Sequence, residues 1–378
     1  MSASSEGGRR HFAALALAFV GFVTSALAAA VFTLARLVIR VRQRPRFPHR
    51  LLAVGNGEVV LSRDEETGRP GIYGLSWPGG HGVVGTPVRA DTAIVVRPLL
   101  QVHHGDPAPG GCRMDHVHIG TPMSALSLDY VEVHLDSEVG PLRAWSIPGK
   151  ADDAWVVVGH GYGGSLQSAL SFLPMLHDAA YNVVVVSYRN DPGEPTSPDG
   201  HYHLGASEWR DFDAGIAYAV AHGATRLALY GWSMGGAIAL QALAQSPHRD
   251  KIHAVILDSP VLDWRRVLRH LGARSHVPAP LVHLASRLIE HRLRIDLDAF
   301  DWLQRSPELS VPILCFHGEG DTTVPASLSK DLAERRPDLV ELAIEPGAGH
   351  VGSFNLDRER YARRVQDFLG ERLPVSID

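Results

Sequence analysis

The chain has 378 residues and 45% of them are hydrophobic, so it can bury a core larger than one domain of ordinary size requires. Its formal net charge of −5 and its pI of about 6.5 argue against the strongly basic surface that is typical of nucleic-acid-binding proteins. Only three of the 36 basic residues are lysines, a bias typical of GC-rich bacterial coding sequences, and the two cysteines, Cys112 and Cys315, are far enough apart in sequence to favour buried thiols over a disulfide.

Residues 1–50 predict a transmembrane anchor followed by a basic linker. Residues 12–35 are 24 consecutive uncharged residues, and about 20 apolar residues are enough to span a bilayer. Arginines flank this segment, with most of them on its C-terminal side: Arg9, Arg10, Arg36, Arg40, Arg42, Arg44, Arg46 and Arg50. This distribution predicts a single-pass protein of the cell membrane with its remaining chain on the cytoplasmic side.

A cleaved export signal is the alternative interpretation of the same segment. Arg9-Arg10 loosely resembles a twin-arginine motif, and Ala26-Leu27-Ala28 has the small residues of a cleavage site. The apolar run continues through residues 31–34, which a cleaved signal does not require. A retained anchor is therefore favoured over an exported protein.

Residues 51–125 predict a small β-rich module. Glycine and proline recur throughout it, and its short apolar runs favour strands over amphipathic helices. The runs are residues 51–54, 58–62, 82–84 and 92–100.

Several histidines of this module raise the question of a metal site. They stand near two aspartates and a cysteine, the full set being His103, His104, Asp106, Cys112, Asp115, His116 and His118. Their spacing matches none of the common metal motifs, and a solvated Pro/Gly loop explains the same residues. We therefore expect no metal.

Residues 126–378 alternate between apolar strand-like runs and segments of helical spacing, as a mostly parallel sheet flanked by helices requires. The predicted strands are residues 127–135 and 141–147, which form a hairpin, and then residues 154–158, 182–187, 227–230, 253–257, 311–316 and 339–344. Residues 165–180 and 357–369 are among the predicted helices.

A sharp turn interrupts this alternation at Gly231-Trp232-Ser233-Met234-Gly235, between a short apolar strand and a helix of small residues. Gly231 and Gly235 are needed because side chains two residues either side of the serine would collide in so tight a turn. The turn exposes the hydroxyl of Ser233 beside a helix N-terminus, which favours an anionic intermediate. This G-x-S-x-G elbow resembles that of the α/β-hydrolase superfamily, in its esterase, lipase and prolyl-oligopeptidase-like branch.

The resemblance covers residues 126–378 and implies the α/β-hydrolase fold with Ser233 as nucleophile. His160-Gly161-Tyr162-Gly163-Gly164 follows a predicted strand and resembles the family's oxyanion loop. The implied oxyanion hole consists of the backbone N–H groups of Tyr162 and Met234. We expect His160 to brace its loop, and Arg189, in the loop after residues 182–187, to form a structural ion pair.

Residues 263–306 interrupt the alternation where α/β-hydrolases commonly insert a cap over the active site. The resemblance therefore implies that this segment determines the substrate. An ordinary pair of amphipathic helices explains the same pattern of apolar residues and arginines.

The remaining two catalytic residues are implied by loops that follow the last two predicted strands. Asp321, in the sequence from His317 to Pro325, resembles the family's acid, which orients the histidine and stabilises its charged form. Asp258 is the fallback acid, and Glu319 lies two residues too early. His350 ends a glycine-rich loop and is suited to act as base and acid near neutral pH.

These residues predict a serine hydrolase that cleaves a carboxylic ester, or a related acyl bond, through an acyl-enzyme. This chemistry needs no metal or organic cofactor, and the expected partner is a small-molecule or lipid-like acyl substrate. An acyltransferase or a peptidase of the same fold remains an alternative, although no large propeller of an oligopeptidase is predicted. A catalytically silent, membrane-anchored scaffold is the alternative from a different class.

Overall fold

The computed structural model of the protein describes residues 3–41 and 46–375, with the backbone alone described for residues 3–14, 16–18, 20 and 23. The chain forms one long N-terminal helix, a seven-stranded antiparallel sheet and an eight-stranded, mostly parallel sheet with helices on both faces. The helix and the first sheet both contact the domain that contains the second sheet.

The N-terminal helix, α1 (Ala3–Ile39), packs onto the rest of the protein at its C-terminal end. Ala35 and Ile39 are buried, and the backbone N–H of Tyr202 donates to the carbonyl of Ile39 at 3.0 Å. The structure does not support the predicted membrane anchor at residues 12–35. Across the described residues, no helix combines the length and the apolar character needed to cross a membrane, and several side chains of this segment lie outside the described residues.

The β-rich module is a sheet whose strands are all antiparallel. They are β1 (His49–Gly55), β2 (Glu58–Ser62), β3 (Tyr73–Trp77), β4 (Gly80–Val84), β5 (Arg89–Ala90), β6 (Ile94–His104) and β7 (Gly110–Asp115). The strand order is β2-β1-β7-β3-β4-β6-β5, and β2 also pairs with β6, so the sheet closes on itself around a small apolar core. The sequence predicts segments of β1, β2, β4 and β6, but not β3, β5 or β7.

The histidine-rich part of the module is divided between paired strands and loops, with Asp106, His116 and His118 outside the strands. His103 and His104 lie at the end of β6, and Cys112 is buried within β7. Among the described residues, no three His, Cys, Asp or Glu side chains are grouped closely enough to hold a metal ion.

The second sheet has the order β15-β14-β13-β12-β10-β11-β9-β8. Its strands are β8 (Val131–Leu135), β9 (Leu142–Ile147), β10 (Ala154–Gly159), β11 (Asn182–Val186), β12 (Arg226–Trp232), β13 (Ile252–Asp258), β14 (Ile313–Gly318) and β15 (Val340–Glu345). The last six strands run parallel, so their carboxyl ends lie at one edge of the sheet. Almost every residue of β10 to β14 is buried, as a sheet covered on both faces requires.

Helices cover both faces of this sheet. They are α2 (Pro122–Leu126), α3 (Leu173–Asp178), α4 (Glu208–Ala221), α5 (Met234–Gln245), α6 (Trp264–Arg274), α7 (Ala279–Leu293), α8 (Ser327–Arg335), α9 (Ser353–Leu356) and α10 (Arg358–Arg372), with 3₁₀ turns at Leu166–Phe172, Arg249–Lys251, Leu297–Phe300 and Ser306–Glu308. Two helices of the segment 263–306, α6 and α7, pack against each other, and α7 packs against α1. The end of the N-terminal helix thus packs against α7 and against the chain around Tyr202.

Candidate active site

Ser233 stands in a strained turn between β12 and α5. Its backbone φ is 55° and its ψ is −123°, a conformation that non-glycine residues rarely adopt. A methyl group at Gly235 would lie 2.5 Å from the carbonyl oxygen of His160, and one at Gly231 would overlap the carbonyl of Gly235. A side chain at either elbow position would therefore collide with neighbouring backbone.

The structure brings Ser233, His350 and Asp321 into one hydrogen-bonded chain, although these residues come from three separate loops. Ser233 Oγ is 2.9 Å from His350 Nε2, and His350 Nδ1 is 2.7 Å from Asp321 Oδ2. A neutral His350 that donates from Nδ1 to the carboxylate accepts the serine proton at Nε2. The Asp321 side chain is fully buried, whereas His350 is 19% exposed toward the cavity described below.

The surroundings of Asp321 stabilise its charged form. Its Oδ1 accepts hydrogen bonds from the backbone N–H groups of Thr323 and Val324, at 2.8 and 2.9 Å. Burial raises the pKa of Asp321, but the charge of His350 and hydrogen bonds from His317 and His350 outweigh it and hold the pKa below its usual range. The carboxylate is thus ionised at neutral pH and can orient the histidine.

The backbone beside His350 is also strained. Val351 has a φ of 49°, and its N–H donates to Ser259 Oγ at 3.1 Å. The Ser259 hydroxyl in turn donates to Asp258 Oδ1 at 3.1 Å, and burial raises the pKa of Asp258 to about 7. Asp258, the fallback acid, therefore lies behind the histidine loop, and Glu319 is exposed.

The loop predicted to form the oxyanion hole lies directly against the elbow. A methyl group at Gly161 would lie 3.0 Å from Ser233 Cβ, and both Gly161 and Tyr162 line the cavity beside Ser233. Met234 is the first residue of α5. The Tyr162 hydroxyl donates to the carbonyl of Arg40 at 2.6 Å, which connects this loop to the chain just after α1.

His160 and Arg189 have structural partners. His160 is fully buried and hydrogen-bonds Asp191 Oδ2 at 2.8 Å and the carbonyl of Gly161 at 2.9 Å. Arg189 donates to both carboxylate oxygens of buried Asp211, at 2.7 and 2.8 Å. Neither side chain is among those that line the cavity.

A cavity of about 310 Å³ opens over the elbow serine, and two parts of the chain line it. The hydrolase part contributes residues around Ser233 and His350, together with Ser168, Ser171, Phe172, Trp232, Phe354 and Asn355. The opposite wall comes from the β-rich module and the residues just after it: Glu66, Arg69, Tyr73, Met114, Asp115, His116 and Val117.

This wall corrects the expectation that residues 263–306 cover the site. In the part of the chain that the structure describes, that segment contributes no residue to the cavity lining, because its helices pack toward α1 instead. The module is docked by its Gly71-Ile72 turn: Ile72 N–H donates to the Asn355 carbonyl at 3.0 Å, and Asn355 Nδ2 donates back to the Ile72 carbonyl at 2.6 Å. The sequence gives no signal for Arg69, which lies in a loop, or for Tyr73, which begins a strand that was not predicted. His116 stands out in the sequence only as a member of the histidine set considered for a metal.

Sequence families match both parts of the chain. A model of the prolyl oligopeptidase family matches residues 168–375, more than half of the chain, and a domain of unknown function, DUF8805, matches residues 50–115. An uncharacterised protein of Mycobacterium tuberculosis is 26% identical over 220 residues, which cover 57% of this chain and 69% of that protein. Protein ABHD12B of Homo sapiens is 27% identical over 220 residues, covering 54% of this chain and 56% of its own.

Solved structures share the fold. The Pyrococcus furiosus esterase Pf2001 superimposes with a TM-score of 0.55 at 23% identity, covering 68% of this chain and 96% of its own. Thermogutta terrifontis esterase 2, solved as its adduct with tabun, gives a TM-score of 0.50 at 20% identity, covering 65% of this chain and 96% of its own. These similarities confirm the predicted α/β-hydrolase fold.

Proposed function

Because this chain belongs to the prolyl oligopeptidase family, a family of α/β-hydrolases, we propose that it cleaves carboxylic esters, or closely related acyl bonds, through an acyl-enzyme. One observation carries the proposal: His350 contacts both Ser233 and Asp321 at the floor of a cavity that can admit a substrate. A nucleophile, a base within hydrogen-bond reach and a group that orients the base are the parts that acyl transfer requires.

In the proposed reaction Ser233 Oγ attacks the acyl carbonyl carbon while His350 Nε2 takes the hydroxyl proton. His350 then gives this proton to the leaving group, and the acyl group remains on Ser233. Water attacks the acyl-enzyme in the second half, again with His350 as base and then acid. Asp321 keeps its negative charge throughout and stabilises the histidinium.

The backbone N–H groups of Tyr162 and Met234 are the proposed oxyanion hole. The close approach of Gly161 to Ser233 supports this assignment, because it places the following peptide beside the attacking oxygen. The N-terminal end of α5 adds the positive end of its dipole at the same point. Two such donors are worth several kcal/mol of transition-state stabilisation, at about 3 kcal/mol each.

We favour ester cleavage over peptide cleavage as the proposed activity. Peptide cleavage is the second candidate because of the family's name. Two structural neighbours are esterases by name, whereas the family is named after an oligopeptidase. Among the described residues, a small seven-stranded module lines one side of the cavity, and no large propeller of the oligopeptidase type is present. A silent scaffold is disfavoured, because all three side chains are present and in contact.

The test is labelling of the full chain with a fluorophosphonate, which reacts with activated serines, alongside the variant Ser233→Ala. We expect labelling of the unaltered protein and none of the variant, whose fold should be retained because the change removes only a hydroxyl. A 4-nitrophenyl ester and the 4-nitroanilide of the same acyl group then separate the two candidates. Absence of labelling in a folded protein would overturn the serine-hydrolase proposal.

A further inference from the structure

Arg69 is a cationic side chain in the wall of the catalytic cavity, and it comes from the β-rich module rather than the hydrolase domain. Its side chain is only 15% exposed. Its ion-pair partner is Glu65, at 3.6 Å, which is longer than a direct hydrogen bond. Glu65 makes a closer pair with Arg274, at 2.7 Å. The guanidinium of Arg69 is therefore held in the cavity with most of its hydrogen-bonding capacity unused by the described residues.

The two carboxylates that share this wall are already engaged. Glu66 Oε2 lies 2.9 Å from His49 Nε2, and Asp115 Oδ2 lies 2.5 Å from Arg113 Nη2. Because the neighbouring carboxylates already have partners, this half-buried guanidinium is best stabilised by an anion that enters with the ligand.

A fully buried arginine fixes the turn that carries Arg69. Arg97 donates to the backbone carbonyls of Thr67, Arg69 and Gly71 at 2.7–2.8 Å, and to that of Gly85 at 2.8 Å. The same turn is tied to Asn355 of the hydrolase domain through Ile72. Arg69 is thus presented from a backbone that is held on both sides, as a preorganised binding group requires.

The position of Arg69 assigns it to one side of the substrate. A methyl group at Gly349 would overlap the Arg69 guanidinium, so Arg69 lies against the residue that precedes His350. The histidine of a serine hydrolase delivers its proton to the leaving group, which therefore occupies the His350 side of the cavity.

Resting on the serine-hydrolase function proposed above, we propose that Arg69 binds a carboxylate carried by the leaving group of the acyl substrate. The planar guanidinium can donate two parallel hydrogen bonds to a carboxylate. Among the described residues of this wall, one weakly paired guanidinium beside the carboxylates of Glu66 and Asp115 suits a monoanion better than a dianionic phosphate. The substrate class is thus an ester whose alcohol or phenol part is itself an acid.

The experiment compares acetoxybenzoates with the matching acetoxybenzamides, in which a neutral carboxamide replaces the carboxylate at nearly equal size. The 3- and 4-isomers sample two distances between the ester and the anion. The quantity measured is the ratio of kcat/KM for the two substrates, divided by the ratio of their hydroxide-catalysed rates. We expect the unaltered enzyme to favour the carboxylate about tenfold or more, and Arg69→Gln to reduce this ratio about 10- to 100-fold.

Two further variants control the comparison. Arg69→Lys keeps the charge without the planar fork and should retain part of the preference. Arg89→Gln makes the same change at a surface arginine of the module, paired with Glu58 and not among the cavity-lining residues, and should leave the ratio unchanged. Fluorophosphonate labelling shows that each variant retains a folded site.

The outcomes separate the two proposals. If Ser233→Ala abolishes hydrolysis of both substrates but the unaltered enzyme shows no preference for the carboxylate, the role of Arg69 is overturned and the hydrolase function stands. An equal ratio in the unaltered enzyme and Arg69→Gln has the same meaning. If the unaltered enzyme neither hydrolyses the esters nor reacts with the probe, the hydrolase function fails and the Arg69 proposal fails with it.

Discussion

His317 lies beneath Asp321, with its Nε2 atom 3.3 Å from the same carboxylate oxygen that binds His350. His317 is completely buried, and its ring is fixed at both ends, by Ser329 Oγ at 2.7 Å and by the carbonyl of Val324 at 3.0 Å. The proposed acid thus contacts two histidines, one toward the cavity and one toward the core. This arrangement makes His317 a positioning residue for Asp321.

Replacing His317 with Leu should lower kcat about tenfold and change KM little. The variant loses the contact that holds Asp321 Oδ2 toward His350, and hydrogen bonds to charged groups are worth about 1.5–3 kcal/mol. Steady-state kinetics on a neutral 4-nitrophenyl ester measures the effect. Ser329→Ala removes only the hydroxyl that contacts His317 Nδ1 and leaves the contact with Asp321 in place, so it should have a smaller effect. An unchanged kcat in a folded His317→Leu variant would show that the contact is only structural.

Replacing Asp258 with Asn should make the protein less sensitive to pH between about 4 and 7. Burial raises the pKa of Asp258 from 3.8 to about 7, so the folded state holds a proton that the unfolded state releases in this interval. The contribution of this group to stability is complete below pH 3.8 and is lost as pH rises toward 7. At one pKa unit per 1.36 kcal/mol, the loss amounts to at most about 4 kcal/mol.

Chemical denaturation at pH 5 and pH 8 measures this effect as the difference between the two proteins. The free energy of unfolding of Asp258→Asn minus that of the unaltered protein should be larger at pH 8 than at pH 5, because only the unaltered protein loses stability as this group deprotonates. Other titrating groups are common to both proteins and cancel. Parallel pH profiles for the two proteins would contradict the burial argument.

Alanine at Gly235 should destabilise the protein far more than alanine at Gly349. The new methyl group at position 235 would press on the carbonyl oxygens of His160 and Gly159, at 2.5 and 2.6 Å, which belong to rigid backbone. We expect a loss of about 3 kcal/mol or more. At position 349 the methyl group meets the flexible end of Arg69, so the loss should stay below about 1 kcal/mol.

Thermal unfolding distinguishes the two alanine variants, and the acetoxybenzoate ratio adds a second readout. Because Gly349→Ala pushes Arg69 aside, it should lower the preference for the carboxylate substrate. A folded Gly349→Ala protein with its preference intact would mean that Arg69 does not act from the position seen here.

Replacing Arg189 with Met should cost about 3–5 kcal/mol of stability. The change leaves the Asp211 carboxylate, whose side chain is 0% exposed, without its cation. The double variant Arg189→Met/Asp211→Leu removes both charges and should recover much of this loss. Denaturant unfolding of the single and double variants measures the difference. Equal losses in both would indicate that packing, rather than the unpaired charge, dominates.

The positions of Ser233, Asp321 and His350 at the floor of the cavity could be predicted from the sequence, because each residue lies in a short, recognisable motif at the end of a strand. The elbow around Ser233 is encoded within five residues, and Asp321 and His350 each follow a strand of recognisable apolar pattern. Parallel strands present their carboxyl ends at one edge, so the fold alone brings such loops together. The catalytic roles of these residues remain predictions.

The walls of the cavity could not be predicted in the same way. Asn355 and Ile72 form their hydrogen bonds across 283 positions of sequence, and neither residue lies in a periodic pattern. The segment 263–306 has the spacing of amphipathic helices, but that spacing does not specify which neighbour covers the apolar face. In the structure α1 covers it, and residues 31–39, which also supported the predicted anchor and the basic linker, supply this contact.

The division of the cavity between residues 46–125 and residues 126–375 has a consequence for how this protein diversifies. The proposed triad of Ser233, Asp321 and His350 lies within the stretch that the prolyl oligopeptidase family model matches, whereas Arg69 and most of its wall lie within a separately recognised domain. If the two proposals hold, substitutions in the module can change which substrates are accepted without altering the groups that carry out the reaction. In such an enzyme, substitutions among the cavity-lining residues of one domain can alter substrate specificity, and the residues that carry out the reaction can stay unchanged.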